Sequence, residues 1–386
     1  MARLHFFAPL LAIVSAGLVG CTQQSGSSQD PAPPFVFRSL DLNQRRKDGQ
    51  RDWDLKSPEA RYELSSRTVR ARQPKGILYR NDRPFYEISA ELATVLNDGE
   101  LVVLEGSVKL QQLKDQNVLI QGDRLVWSPQ AARMVIDQRP EALDAESRLI
   151  SKSVTFLQDT NTLRFSGPTQ LLQWKGRRRE GVTPESDIRA ADGQWNLDSG
   201  DLNVQGPVLA SQPDERKLRA TALKGNTRSR HLDLLQPVRL NLGKDKTVIN
   251  AGLTRWDYGR QRLTSMVPFQ AESPTAVATG DGFVVDQPTK TLIIPRACRL
   301  KQPGEALRAQ RCSWNWSTER LIADGDVVLT RSDPEQVTRA ARLEGLLSEK
   351  QGMRFTAGGQ PVRSTLRFSP GKDQANPAPN RSPVQF

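Results

Sequence analysis

Histidine is close to missing: the 386-residue chain has two, and His5 sits in the apolar N-terminal stretch. A Ser-His-Asp relay or a histidine-built metal site would rest on His231 alone, which reads instead as a residue at a strand start. Cysteine is nearly as scarce, with three in all and none of the spacing that holds zinc. No glycine-rich phosphate loop occurs. Acidic residues such as Asp123, Asp192 and Asp281 recur near the openings of repeated segments, where they serve turns and edges better than a glycosidase-like carboxylate pair. Aromatics make up 6% of the chain, so little apolar surface is spare, and no amphipathic helix of useful length can be traced. These gaps lead us to expect no enzyme, no cofactor and no metal.

Long apolar runs are absent too, save one. "FFAPLLAIVSAGLVG" stands directly before Cys21. Fifteen residues fall short of the ~20 that span a bilayer, so residues 1–21 read as a secretory signal. The "LVGC" ending resembles the bacterial lipobox. That resemblance implies lipid attachment at Cys21 and a periplasmic, membrane-anchored lipoprotein, held at the inner membrane in preference to the outer. Residues 22–50, opening with "TQQSGSSQDPAPP", read as a flexible tether, and residues 367–386 as a disordered tail. Acidic charge is in deficit: 55 Lys+Arg against 43 Asp+Glu give +12. That balance suits an anionic partner such as a phosphorylated lipid or a membrane surface, and nucleic acid is set aside for an exported lipoprotein.

What is present, from 51 to 366, is a repeat. Units opening at Leu55, Ile88, Ile120, Leu149, Ile188, Leu218, Ile249, Ala278, Leu307 and Val337 are 29 to 39 residues apart. A period near thirty marks an array of supersecondary units. Fourteen residues after most openings comes a second apolar anchor, as in Val102, Met134, Leu202 and Leu321. Within a unit the period is two, as in Val102, Leu104, Gly106, Val108, Leu110, which means half-buried strands. Position 3 of the unit is small (Ser57, Ala90, Gly122, Ser151, Ala190) and position 8 is often large (Tyr62, Trp127, Phe156, Trp195, Trp256, Trp314). Positions 1 and 3 share one phase and positions 6 and 8 the other, so each first strand must contain a bulge or bend to keep all four inside.

Turn residues separate the halves of many units, as in "SPQA" at 128–131 and "LDSG" at 197–200. Each unit is then a hairpin and about twenty strands stack antiparallel. If successive strands alternate between two facing halves, ten per half at ~4.8 Å give a body roughly 48 Å long. The polar "WKGRRREGVTPES" makes residues 175–187 an insertion loop expected to stand off that body.

"WDLKSPEARYEL", the IxA/G openings and the LxVxGxV closings, together with the lipobox, resemble the lipopolysaccharide-transport family built on the OstA/LptA-type β-jellyroll, in particular its LptC-like periplasmic component, in a long variant. The resemblance implies an all-β, elongated, folded-over antiparallel jellyroll. Its apolar slot would carry the acyl chains of lipopolysaccharide between an inner-membrane ABC transporter and downstream periplasmic or outer-membrane components. Partners would be lipopolysaccharide, the transporter subunits, other jellyrolls of the family docked by edge strands, and the membrane through the lipid anchor. Slot candidates are Ile120, Leu125, Trp127, Met134, Ile136, Trp195, Leu202, Val204, Trp256 and Trp314. The chain departs from the family in being about twice the expected length and in ending its leader on a cysteine.

Two further features stand apart from the slot. Cys298 and Cys312 flank "KQPGEAL" with a pairing centre at residue 305, so a disulfide across a hairpin is expected. Arg177, Arg178 and Arg179 form a basic loop, read as solvated. The competing readings are a cell-surface carbohydrate-binding protein or enzyme on a β-solenoid, with tryptophans turned outward to sugars, and a structural envelope lipoprotein.

Overall fold

The computed structural model describes residues 35–113, 118–179, 181–243, 246–346, 353–359 and 361–367; the signal, Cys21, the tether up to residue 34 and the tail from 368 lie outside them. The described residues form thirty-six antiparallel strands in one hydrogen-bonded sheet, with two single-turn 3-10 segments, Asn97–Gly99 and Pro129–Ala131. The fold is the elongated all-β jellyroll.

The strand Leu119–Ser128 shows how the sheet folds on itself. Its residues 119–122 pair with 108–111 and 119–121 with Glu141–Leu143, while 124–127 pair with 102–105 and 124–128 with Arg133–Gln138. The register slips between Gly122 and Arg124, where a bulge takes up one residue and lets Ile120, Leu125 and Trp127 all face inward. This is the bend that the phase change demands. Strand by strand, the N-terminal and C-terminal pieces continue into two separate ladders that face each other across a shared crease. We call the ladder that starts at Phe35–Phe37 the first and the one that starts at Leu40–Arg45 the second. In most units the chain breaks at the crease, as between Ser186–Ala190 and Asp192–Asn196. Three strand pairs run through it unbroken: Leu101–Gln112 with Leu119–Ser128, Arg262–Glu272 with Val277–Asp286, and Arg320–Ser332 with Glu335–Leu346.

Three expectations change. Strands do not alternate between the halves; each bent strand contributes a piece to both, so each ladder holds about twenty pieces and the stack is on the order of 100 Å long, not 48. The tether is shorter than expected, because Phe35–Phe37 pairs with residues 60–62 and Leu40–Arg45 with 51–57. Leu40 and Leu42 pack on the core from within a polar stretch, which hid them from a composition argument. The 175–187 insertion does not stand off: Arg178 N–H donates to Ala145 O at 2.7 Å and Trp174 Nε1 to Val182 O at 2.7 Å. Its last two residues, Ser186 and Asp187, already belong to a strand.

Candidate functional site

The crease is built from small residues because it is full. A Cβ on Gly122 would sit 2.4 Å from Ile136 Cγ2 and 2.8 Å from Gln138 O; one on Gly280 would sit 2.3 Å from Ile294 Cγ2. Ser57 Oγ lies 2.7 and 2.6 Å from the carbonyls of Glu59 and Arg72, occupying the same place with a hydroxyl. The closing glycines Gly106, Gly206 and Gly325 adopt positive φ there, which lets the second strand of a unit turn from one ladder to the other.

Away from the crease the space between the ladders differs along the body. In the N-terminal part it is filled. Ile120, Leu125, Trp127, Met134 and Ile136 have no exposed surface. The Trp127 ring meets Trp53 edge to face at 5.1 Å, and its N–H donates to Gln158 Oε1 at 2.8 Å. Trp195, Leu202 and Val204 are buried as well, with Trp195 Nε1 on Thr227 Oγ1 at 3.3 Å.

Polar bridges lock the mouth over this filled stretch, where turns of the second ladder meet turns of the first. Tyr86 donates to Asn161 Oδ1 at 2.8 Å, Asn161 to Asp198 at 2.7 Å, and Arg80 to Asp198 at 2.7 Å. Further along, Arg230 bonds Glu146 and Gln261 donates to Glu185 at 2.8 Å. The bridged turns are far apart in sequence, by 118 residues for Arg80 and Asp198, so the ladders cross at an angle. Burial pushes the Tyr86 phenol far above its ordinary value and raises that of Tyr258 in the same mouth.

Beyond Gln261 the mouth changes. Apolar side chains line it as far as Arg331, whose Nη2 lies 3.6 Å from Met353 Sδ. Two adjoining cavities of about 120 and 310 Å³ open here and share Thr247, Ala271, Leu292 and Trp314 as lining. Their walls are apolar, from Leu218, Leu240, Trp256 and Trp316 in the smaller to Ile294, Leu307, Leu329 and Leu343 in the larger. Their lining includes Arg216 among neutral polar side chains and two glutamates, Glu305 and Glu319, whereas Lys217 and Lys301 alternate onto the outer face of their strands. The Trp314 indole N–H is buried without a partner. Inward bulk falls at this point of the array: Ala271 and Ala278 stand where earlier units have Leu110 and Ile120, and the missing volume is the cavity.

Of the ten slot candidates, Trp256 and Trp314 line this slot; Trp195 and Leu202 border only a crevice of about 10 Å³, Val204 is buried beside them, and the other five are closed core. The chain's "WNW" at 314–316 and the alanines at 271, 276 and 278 were the signal for the residues missed.

Cys298 and Cys312 are joined, with Cα atoms 5.9 Å apart. The hairpin centre differs from expectation: Gln302 faces Glu305 and Cys298 faces Ala309, so the centre lies between 303 and 304. Cys312 belongs to the next strand, where it faces Ile294 and Ala323 in the first ladder. The chain bends at Gln310, and the disulfide therefore ties the second ladder to the first at the crease, with Cys312 in the wall of the larger cavity. Arg177, Arg178 and Arg179 are exposed in the folded-back loop.

Residues 9–139 match the family model described as lipopolysaccharide-assembly, LptC-related. The chain is LptC-like over that first third. The match takes in the first portion of the filled part of the jellyroll and ends before Ala210, the first residue of the slot. No curated protein matches the chain.

Proposed function

We propose that the protein is a lipopolysaccharide-transport bridge whose acyl-carrying compartment is the slot between residues 210 and 353. What carries this reading is the apolar slot, with Arg216 in its lining, in a jellyroll whose N-terminal third matches the LptC-related family model. Acyl chains would lie against Leu292, Trp314 and Leu329, the unpartnered Trp314 N–H would meet a carbonyl of the ligand, and Arg216 would face its phosphates. Tryptophans that line a core or slot are turned away from solvent, which counts against sugar platforms. The bridge would run between an inner-membrane ABC transporter and downstream components, tethered through acylated Cys21 in the periplasm. It would dock neighbours at its open edges, Phe35–Phe37 and Leu40–Arg45 at one end, Arg354–Thr356 and Arg363–Arg367 at the other. The test is a photocrosslinking residue placed at Trp316 in cells with radiolabelled lipopolysaccharide, with exposed Leu209 as the control position. An adduct at 316 and none at 209 is expected; no adduct at 316, nor at Leu292, removes the transport reading.

A further inference from the structure

The outward residues of the second ladder fall into rows of directly paired positions. One row carries Arg219, Arg239, Arg299, Arg308, Arg339 and Arg363, each exposed. The positions between them are Asn250, Gln270, Thr279 and Val328, so the row has no acidic member. Among the described residues none of these six guanidinium groups makes an ion pair or a side-chain hydrogen bond. Elsewhere the chain places acids against its arginines: Arg255 stands opposite Asp233 and grips it with two bonds, at 2.7 and 2.8 Å. In the row, Arg219 faces Arg239, Arg299 faces Arg308 and Arg339 faces Arg363. Like charges directly opposite each other cost stability in a sheet, and nothing in the fold offsets that cost.

We infer that this row is a docking track for a flexible linear polyanion, specifically a carboxylated polysaccharide. Nine strand spacings separate Arg219 from Arg363, which at ~4.8 Å is roughly 43 Å. A sheet twisting by about 20° per strand turns such a row through about half a revolution. A flat anionic bilayer then touches only a few of the arginines at once, whereas a polymer chain can follow all of them. The planar guanidinium fork suits carboxylates, as the Arg255–Asp233 pair demonstrates in this same molecule. The inference is independent of the transport reading, since the track lies on the outside of the sheet and the slot on the inside.

The experiment measures binding of the full chain to polygalacturonate, and in parallel to vesicles of phosphatidylcholine with phosphatidylglycerol, from ~50 to ~200 mM salt. Two triple variants are compared: Arg299→Ser with Arg308→Ser and Arg339→Ser, and, as a charge-matched control, Arg177→Ser with Arg178→Ser and Arg179→Ser. All six positions are exposed, and unchanged far-UV spectra check the fold. We expect polymer binding to weaken by about tenfold or more in the first variant, with a shallower salt dependence, and to change less than about twofold in the second. Equal losses in both variants, vesicle binding without polymer binding, or no polymer binding by the wild type would each overturn the inference.

Discussion

The indole of Trp127, with no exposed surface and its N–H bonded to Gln158, is a structural residue, whereas Trp316 sits partly exposed at the slot. Truncating the first removes a packed ring and leaves a cavity, so Trp127→Ala is expected to cost about 3–5 kcal/mol. Trp316→Ala is expected to cost less than about 1.5 kcal/mol, and urea midpoints of the two variants check the contrast. Tyr86 gives a pH-dependent counterpart. Its phenol is held neutral by burial, with a folded value raised above the unfolded one of ~10. The folded chain therefore binds this proton more tightly. The resulting stability is fully present below pH ~10 and is lost as pH rises through the folded value. Tyr86→Phe should lose about 1 kcal/mol at neutral pH with its bond to Asn161, yet fall less steeply in stability between pH ~10 and ~11.5; an unchanged alkaline slope would count against the assignment. Tyr258 acts in the same direction, so part of the slope persists.

At the scale of elements, the unit sequence states the bend but not its consequence. Positions 120 and 122 against 125 and 127 change phase within one strand, and the register slip at Gly122 is the physical form of that change. The number of strands per ladder was not legible, because a phase change says that a strand bends and not that both pieces find separate ladder partners. Leu40–Arg45 was missed for another reason: two inward leucines among Asp41, Asn43 and Gln44 carry too little signal to separate a short edge strand from a linker. The disulfide lies between these cases, since residue spacing placed the cysteines near each other but the bend at Gln310 decided which strands they join. Because Cys298 and Cys312 close a loop of sequence separation 14, replacing both by serine is expected to cost about 3 kcal/mol. Strand pairing within each ladder is between neighbours, so the loss should appear in hydrogen exchange as faster opening of residues 291–346, with the 101–138 strands unaffected. Uniform acceleration along the chain would mean that the clasp acts on the whole array and not on the slot.

For the whole molecule, the crossing of the ladders explains why one part is sealed and another open. Three turns of the second ladder close on first-ladder turns that come much later in the chain, Arg80 on Asp198, Glu146 on Arg230 and Glu185 on Gln261. The offset moves the supply of partners ahead of the demand, so second-ladder turns near the C-terminal end reach the last strands of the first ladder sooner than their own units would suggest. The slot lies where that supply thins, bounded by Gln261–Glu185 at one end and Arg331–Met353 at the other. Such an arrangement requires the two ladders to be long and continuous rather than stacked as separate blocks. With about twenty pieces in each at ~4.8 Å, the body extends for on the order of 100 Å, while a molecule that dealt its strands alternately to two halves would measure about half as much. Small-angle X-ray scattering of the chain lacking residues 1–34 distinguishes these: a maximum dimension near 100 Å or somewhat above is expected, and the profile of a particle about 50 Å long would contradict the continuous ladders and, with them, the crossing as the origin of the open slot.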